Sequence, residues 1–401
     1  MDVEPTSGAN GEGPATDRRQ FLGAAVGGVF AAAVGRTAGT RTRAEEPPAG
    51  PDHRMIVRNE RPLNLEADSA SLDSFITPTA ELFVRSHHGA PAVGLHPWTI
   101  QVEGLVDRPL TLGLDEVSAL EPIEVPAVIQ CAGNGRAQFK PTAPGLPWAR
   151  GAVGHGVWKG PRLATLLEKA GVKPEAAHVQ FIGGDPPPNP KAPPFIRSIP
   201  LDRARAEDVI LALTLNGEPL PILHGGPARI VVPGWAANNW SKWIRKIVVS
   251  AEEASSFFMK PGYRLPREPV APGAEPPPPE DMLPVTWMPV KSLITSPAVD
   301  AQVAQGSVEI RGVAWTGEGH VVKVEVSTVQ DPTWREAELL DEPRQGSWRR
   351  FKFAWTPPAA GEFTLQARAT DSKGEVQPET TPWNKSGYLW NGYDRVSCVV
   401  S

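Results

Sequence analysis

Cys131 lies in the run Val128-Ile129-Gln130-Cys131-Ala132-Gly133-Asn134-Gly135-Arg136, at the end of an apolar stretch and inside a glycine-containing turn. A neighbouring guanidinium and free backbone amides would lower the pKa of such a thiol. They would favour thiolate, the form that acts as a nucleophile or binds a soft metal. Nucleophilic work needs a base, and His87, His88, His155 and His224 are all available for it. Sequence separation does not choose among them. A lone cysteine is more often a buried packing residue, and Cys398, in Val396-Ser397-Cys398-Val399-Val400, reads that way. With two cysteines in 401 residues, neither a disulfide framework nor a zinc site of several thiolates can be built.

The elements that must position this chemistry follow from pattern. Residues 127–131 read as a strand entered just after Pro126, where no ladder donor is needed. Residues 163–170 read as a short helix and 228–233 as a buried strand. The 45 prolines are about double the usual ~5% share and exclude an all-helical fold. A mixed α+β domain is expected over residues 45–284, closed by a proline-rich spacer at 267–284 that contains Pro276 to Pro279. Beyond it, Val322, Val324 and Val326 alternate with polar residues, as do Phe363, Leu365 and Ala367. That texture predicts an all-β, immunoglobulin-like sandwich over 285–401.

At the N-terminus, Arg18-Arg19 followed by Phe21-Leu22 and an uncharged run over 20–35 resembles a twin-arginine (Tat) export signal. Residues 1–44 are therefore expected to be removed. The folded protein would then reach the periplasm or another extracytoplasmic space, with its cofactor already inserted. The run is too short and too weakly apolar to span ~30 Å of hydrocarbon, so no stable membrane span is expected in the mature protein. A net charge of −5 gives no electrostatic reason for a nucleic-acid partner.

Several motifs in one order carry a stronger signal. Phe83-Val84-Arg85-Ser86-His87, then Gln130-Cys131-Ala132-Gly133-Asn134, then His224 to Gly234 with Arg229, then Lys242-Trp243, together resemble the sulfite oxidase family of molybdenum enzymes. The resemblance runs from about residue 75 to the C-terminus and includes Trp383-Asn384. It implies a molybdopterin domain followed by an immunoglobulin-like domain that dimerises. Cys131 would be the one protein ligand to molybdenum, a soft thiolate suited to a metal already held by dithiolene sulfurs. His87, Asp185, His224, Arg229 and Lys242 would hold the pterin and its phosphate. Arg85, Arg136, Tyr263 and Trp148 would form the substrate pocket, an anion hole with an aromatic wall.

The activity so implied is oxidation of sulfite or a related sulfur oxyanion by oxo transfer. No Cys-x-x-Cys-His occurs, and no haem- or flavin-binding extension fits, so electrons are expected to pass to a separate c-type cytochrome. The same absence sets the chain apart from eukaryotic nitrate reductases, which share the molybdenum domain. Two positions depart from the family pattern. Lys385-Ser386 follows Trp383-Asn384 where sulfite oxidisers often have arginine, and Asn239 also stands where arginine is frequent. Fewer arginines weaken recognition of a small dianion unless Lys385 swings in. A sulfur (sulfane) dehydrogenase subunit, or an S- or N-oxide reductase on the same cofactor, is the alternative. A non-enzymatic exported binding protein with a sandwich module is the rival of another class, opposed by Cys131 and the basic set.

Overall fold

The computed structural model describes residues 55–91 and 97–401; the export signal expected over 1–44 lies outside the described residues. Strands dominate throughout. The α-helices among the described residues are Leu114–Ser118, Leu163–Ala170 and Leu201–Ala204, of five, eight and four residues. The α+β expectation therefore needs correction towards a strand-built chain. Dense proline and glycine cut helical runs short and leave the strands linked by turns. Leu163–Ala170 coincides with the expected helix. Leu163, Leu166, Leu167 and Ala170 all point inward at helical spacing, and Gly171 ends it with a φ of 70°.

Two sheets frame the first part of the chain. A four-stranded sheet runs in the order Glu218–Pro219, Thr214–Leu215, Val153–Pro161, Pro122–Gln130. A five-stranded sheet runs Leu110–Gly113, Thr99–Gly104, Ile244–Ser250, His178–Gly183, Ile196–Pro200. The strand bearing the thiol is longer than expected, nine residues, and Pro126 lies inside it opposite Val157. The strand is at the sheet's end, so the missing Pro126 amide costs no ladder bond. The segment 228–233 contributes Arg229–Val231, paired with Ile210–Ala212 and fully buried.

The stretch 267–284 is not an extended spacer. Met282–Pro284 pairs antiparallel with Arg264–Pro266, and Arg267 N donates to Asp281 O at 2.8 Å. The prolines between them form the arch of this closed loop, where no ladder donors are needed.

Past residue 284, two sheets enclose a second core. One runs Lys291–Ser296, Val308–Trp315, Arg349–Trp355, Glu338–Leu339; the other Ala301–Val303, Asp394–Val400, Gly361–Asp371, Val321–Thr328, Arg335–Glu336. The alternating residues read from sequence pair across this second sheet, Val324 opposite Ala369 and Val326 opposite Ala367. Cys398 is buried in this core as a free thiol. Among the described residues, no helix is long and apolar enough to cross a membrane.

A third core joins the two parts: Val128, Ala132 and Val153 pack with Leu293, Val313 and Trp315. Trp315 Nε1 donates to Gln130 Oε1 at 2.6 Å, which fixes the residue next to Cys131 from the far side. Trp315→Phe leaves that buried acceptor unpaired. It is expected to cost about 1–2 kcal/mol, within the range for orphaning a buried polar atom. Urea unfolding of both proteins measures the difference, and identical midpoints would show that the bond carries no net stability.

Candidate functional site

The Cys131 turn is built by its small residues. Gly135 has a φ of 89°, and a Cβ there would lie 2.6 Å from Trp390. A Cβ on Gly133 would strike the Arg136 guanidinium at 2.7 Å. Asn134 Oδ1 accepts from Ala152 N at 3.2 Å, and Cys131 N donates to Ala152 O at 2.9 Å, so turn and neighbouring strand hold each other. Cys131 emerges here 6% exposed, lining two cavities at once.

The inner cavity is basic. Cys131 shares it with His87, Asp185, His224, Arg229 and Lys242. Arg229 donates from Nη1 to His224 O and from Nη2 to Trp240 O, both at 2.9 Å, while its buried Nε has no partner. Its guanidinium lies 5.1 Å from the Trp158 ring centre. Lys242 Nζ donates to Ser86 Oγ at 2.9 Å and Leu223 O at 3.0 Å. Burial depresses Arg229 to about 9 and drives Lys242 well below its usual value, helped in the latter by Arg229. His224 falls to about 4 through burial and then Arg229, so it is neutral at pH 7. Asp185 is the one carboxylate in this lining among the described residues, and burial raises it to about 6 against the pull of Lys242. Among the described residues, a basic set that faces a single carboxylate fits an anionic guest such as a pterin phosphate.

The outer cavity, about 470 Å³, places Arg85, Arg136, Trp148 and Tyr263 over Cys131. Arg85 Nη1 donates to Asn64 Oδ1 at 3.1 Å and to Ser86 O. Arg136 donates from Nε to Ser386 O and from Nη1 to Leu146 O, both at 3.0 Å. Tyr263, held at a φ of 55°, shares a hydrogen bond of 2.6 Å between its hydroxyl and Nε2 of His87. Burial pushes the tyrosine pKa up. Burial and then Arg85 push that of His87 well down, which keeps the imidazole neutral. Trp148 is fully buried, edge-on to Phe83.

The sign of the thiol shift runs against expectation. Arg85, Arg136 and the Gly133 amide do favour thiolate, but desolvation outweighs them and the Cys131 pKa is raised. A bound metal would have to drive the deprotonation. Among the described residues, no cluster of three or more His, Cys, Asp or Glu could hold a metal on its own. The donor set suits a metal that brings most of its ligands with it.

All ten residues singled out for binding or catalysis line one cavity or the other. His88 and His155 do not. His88 Nε2 bonds Pro193 O, and His155 is buried between Phe75 O at 2.6 Å and Ser347 Oγ at 3.1 Å. Burial lowers His155 from 6.5 to about 4. The unfolded chain therefore takes up a proton that the native chain refuses between those values. Through His155 stability is expected to fall as pH drops from 6.5 towards 4, by up to about 1.4 kcal/mol per unit, alongside a like contribution from His224. His155→Gln should flatten that acid limb in denaturation measured across the window; an unchanged slope would place the titration elsewhere.

Three contributors have no clear signature in sequence. Tyr388 stacks on Tyr263, ring centres 5.1 Å apart at 12°. Asn64 anchors Arg85 from 21 residues away. Arg197, fully buried, donates from Nη2 to Asn239 Oδ1 at 2.8 Å and lies 5.4 Å from the Tyr263 ring centre. Asn239 thus braces a guanidinium behind Tyr263 and lines neither cavity. Lys385 is paired with Glu275 at the rim and does not turn inward.

Residues 87–258 match the oxidoreductase molybdopterin binding domain, and residues 283–401 match the Mo-co oxidoreductase dimerisation domain. The chain is 35% identical to the mitochondrial sulfite oxidase of Mus musculus over 368 residues, covering 86% of this chain and 66% of that protein. It is 31% identical to the sulfite oxidase of Arabidopsis thaliana, covering 88% and 95% of the two chains. It thus spans just under two thirds of the mouse protein and nearly all of the plant one. In structure it is similar to the sulfane dehydrogenase SoxCD from Paracoccus pantotrophus, with a TM-score of 0.76, 26% identity, and 89% and 93% of the two chains covered. The chain belongs to the sulfite oxidase family of molybdopterin-dependent oxidoreductases.

Proposed function

We propose that the protein oxidises sulfite or a related sulfur oxyanion, after Tat-dependent export, and hands the electrons to a separate c-type cytochrome. The observation that carries this reading is the double exposure of Cys131. The thiol looks into a basic cavity suited to a cofactor phosphate and into an arginine-lined cavity suited to a substrate anion. Arg229, Lys242 and His224 would hold the phosphate, with His87 and Asp185 on the pterin, and Cys131 would ligate the metal. When bound, the molybdenum cofactor supplies a two-electron oxidant with a transferable oxygen atom.

The chain's own residues do the rest. Arg85 and Arg136 attract and orient the anion, prearranged by the carbonyls that brace them. Trp148 and Tyr388 keep the reaction volume narrow and shed water. Tyr263 holds its proton at the oxygen shared with neutral His87 Nε2, a position from which a proton can be lent to or taken from bound oxyanion. The sandwich, of immunoglobulin-like type in this reading, would form the homodimer.

Sulfite-dependent reduction of ferricyanide by protein with a full molybdenum complement tests the proposal. Turnover is the expected result; none, with the metal present, would overturn it. A second reading, sulfane oxidation, is favoured by the similarity to a sulfane dehydrogenase and by the outward pairing of Lys385 with Glu275.

A further inference from the structure

The outer cavity does not end at its rim. Pro261, Lys385 and Ser386 line it and also line a groove of about 880 Å³ beneath the 264–284 loop. The groove presents more apolar than polar surface, through Val270, Pro276, Pro277, Met282 and Leu283. Charged residues line it too, Glu253 paired with Lys260 and Arg264, then Arg267 and Glu280. Leu283 is 40% exposed there, and Phe257, at the mouth itself, is 51% exposed. Large apolar side chains standing open around the mouth of an anion site call for a ligand with two characters.

The polar end is also particular. Arg136 spends Nε and Nη1 on backbone carbonyls, and Arg85 spends Nη1 on Asn64 and Ser86. Lys385 is turned to Glu275. The neutral partners of the two arginines take up donors and leave both guanidinium charges in place, so an anionic head can be held by the remaining guanidinium edges, beside two neutral phenols.

We infer that this site takes an organic sulfinate, with its head between Arg85 and Arg136 and an apolar substituent laid along the groove past Phe257 to Leu283. This rests on the oxidase reading and names the substrate class within it. A sulfinate offers two acceptor oxygens to the guanidinium donors left free and, unlike sulfite, a carbon substituent for the groove. Its oxidation to a sulfonate forms one S–O bond, with the oxygen derived from water. Two electrons leave for the haem-protein acceptor, or for ferricyanide in vitro, and two protons are released. No carbon–sulfur bond breaks.

The test uses molybdenum-loaded full-length protein and two homologous series. Binding of n-alkanesulfonates from one to six carbons, the product class, is measured by calorimetry. Oxidation of the matching sulfinates is measured with ferricyanide. In the wild type, Kd is expected to tighten about two- to fourfold per methylene, the upper figure being the ~0.8 kcal/mol of a fully buried CH₂. kcat/KM should rise in parallel. Leu283→Glu and Phe257→Ala, both at exposed positions, should flatten the chain-length dependence while leaving methanesulfonate binding within about twofold.

A Kd independent of chain length in the wild type, or a slope that neither variant alters, would overturn the inference. Oxidation of sulfite without binding or oxidation of any sulfinate would overturn it and leave the oxidase reading intact. Failure to oxidise sulfite and sulfinates alike would remove both.

Discussion

Cys131→Ser is expected to abolish turnover and leave the fold nearly unchanged. A serine hydroxyl is close to isosteric with the thiol, and the backbone bonds of the turn, Cys131 N to Ala152 O and Asn134 N to Cys131 O, survive the exchange. The chemistry does not survive it. Burial already holds the Cys131 thiol above its ordinary pKa against two nearby guanidiniums, so thiolate forms only when a soft metal draws the proton off. A hydroxyl starts many units higher and gives a hard alkoxide that suits this metal poorly. The loss should exceed the about 10- to 100-fold typical of changes outside the ligand sphere, approaching 10³-fold or more. Melting should shift by no more than a few degrees. Molybdenum content, measured on the same sample, separates a failed ligand from a failed cofactor insertion. Full activity with a full metal complement would refute the ligand role.

What could be read from sequence divides along the range of the interactions concerned. Leu163–Ala170 was legible because four inward residues at helical spacing and a closing glycine are all local. The strands Val321–Thr328 and Gly361–Asp371 were legible because alternation is a property of each strand alone. That the residues singled out would gather around Cys131 was legible through family motifs in order, not through any one of them.

Interactions that depend on distant chain segments were hidden. Pro126 could be taken for a strand boundary because nothing local tells that the strand lies at a sheet's end. The 267–284 stretch looked like a spacer because its pairing with Arg264–Pro266 needs only three residues at each end. Arg197 and Asn239 are 42 residues apart, and nothing beside either of them in the chain tells that they meet. The thiol shift was misjudged in sign because nearby cations are visible in sequence and depth of burial is not. Desolvation decides such cases when a group is fully enclosed.

Arg85 and Arg136 are expected to fail differently when each is replaced by glutamine. Both should lower kcat/KM by about 10- to 150-fold, the loss for a charge-assisted contact of about 1.5–3 kcal/mol in a partly dehydrated pocket. Arg85 loses a side-chain partner, Asn64, and one adjoining carbonyl, so its glutamine variant should stay near wild-type stability and show the effect chiefly in KM. Arg136 also ties the carbonyls of Leu146 and Ser386 together across 240 residues of sequence. Glutamine can satisfy at most one of them in the same geometry, so Arg136→Gln should lower the melting temperature as well and depress kcat through a loosened Trp148 wall. Arg136→Lys restores the charge but not the fork, and should recover KM more than kcat. Lys385→Ala should change kcat/KM by less than about twofold, because its ammonium is solvent-exposed and already paired with Glu275. Raised ionic strength should weaken substrate capture by the wild type more than by Arg85→Gln, since the variant has less field to screen. Steady-state kinetics over a salt series, on protein of known molybdenum content, reads the catalytic effects, and thermal unfolding of the same samples reads the stability ones. Unchanged kinetics in Arg85→Gln would show that the substrate is not held at this edge of the cavity, and the anion would then have to be bound by Arg136 alone.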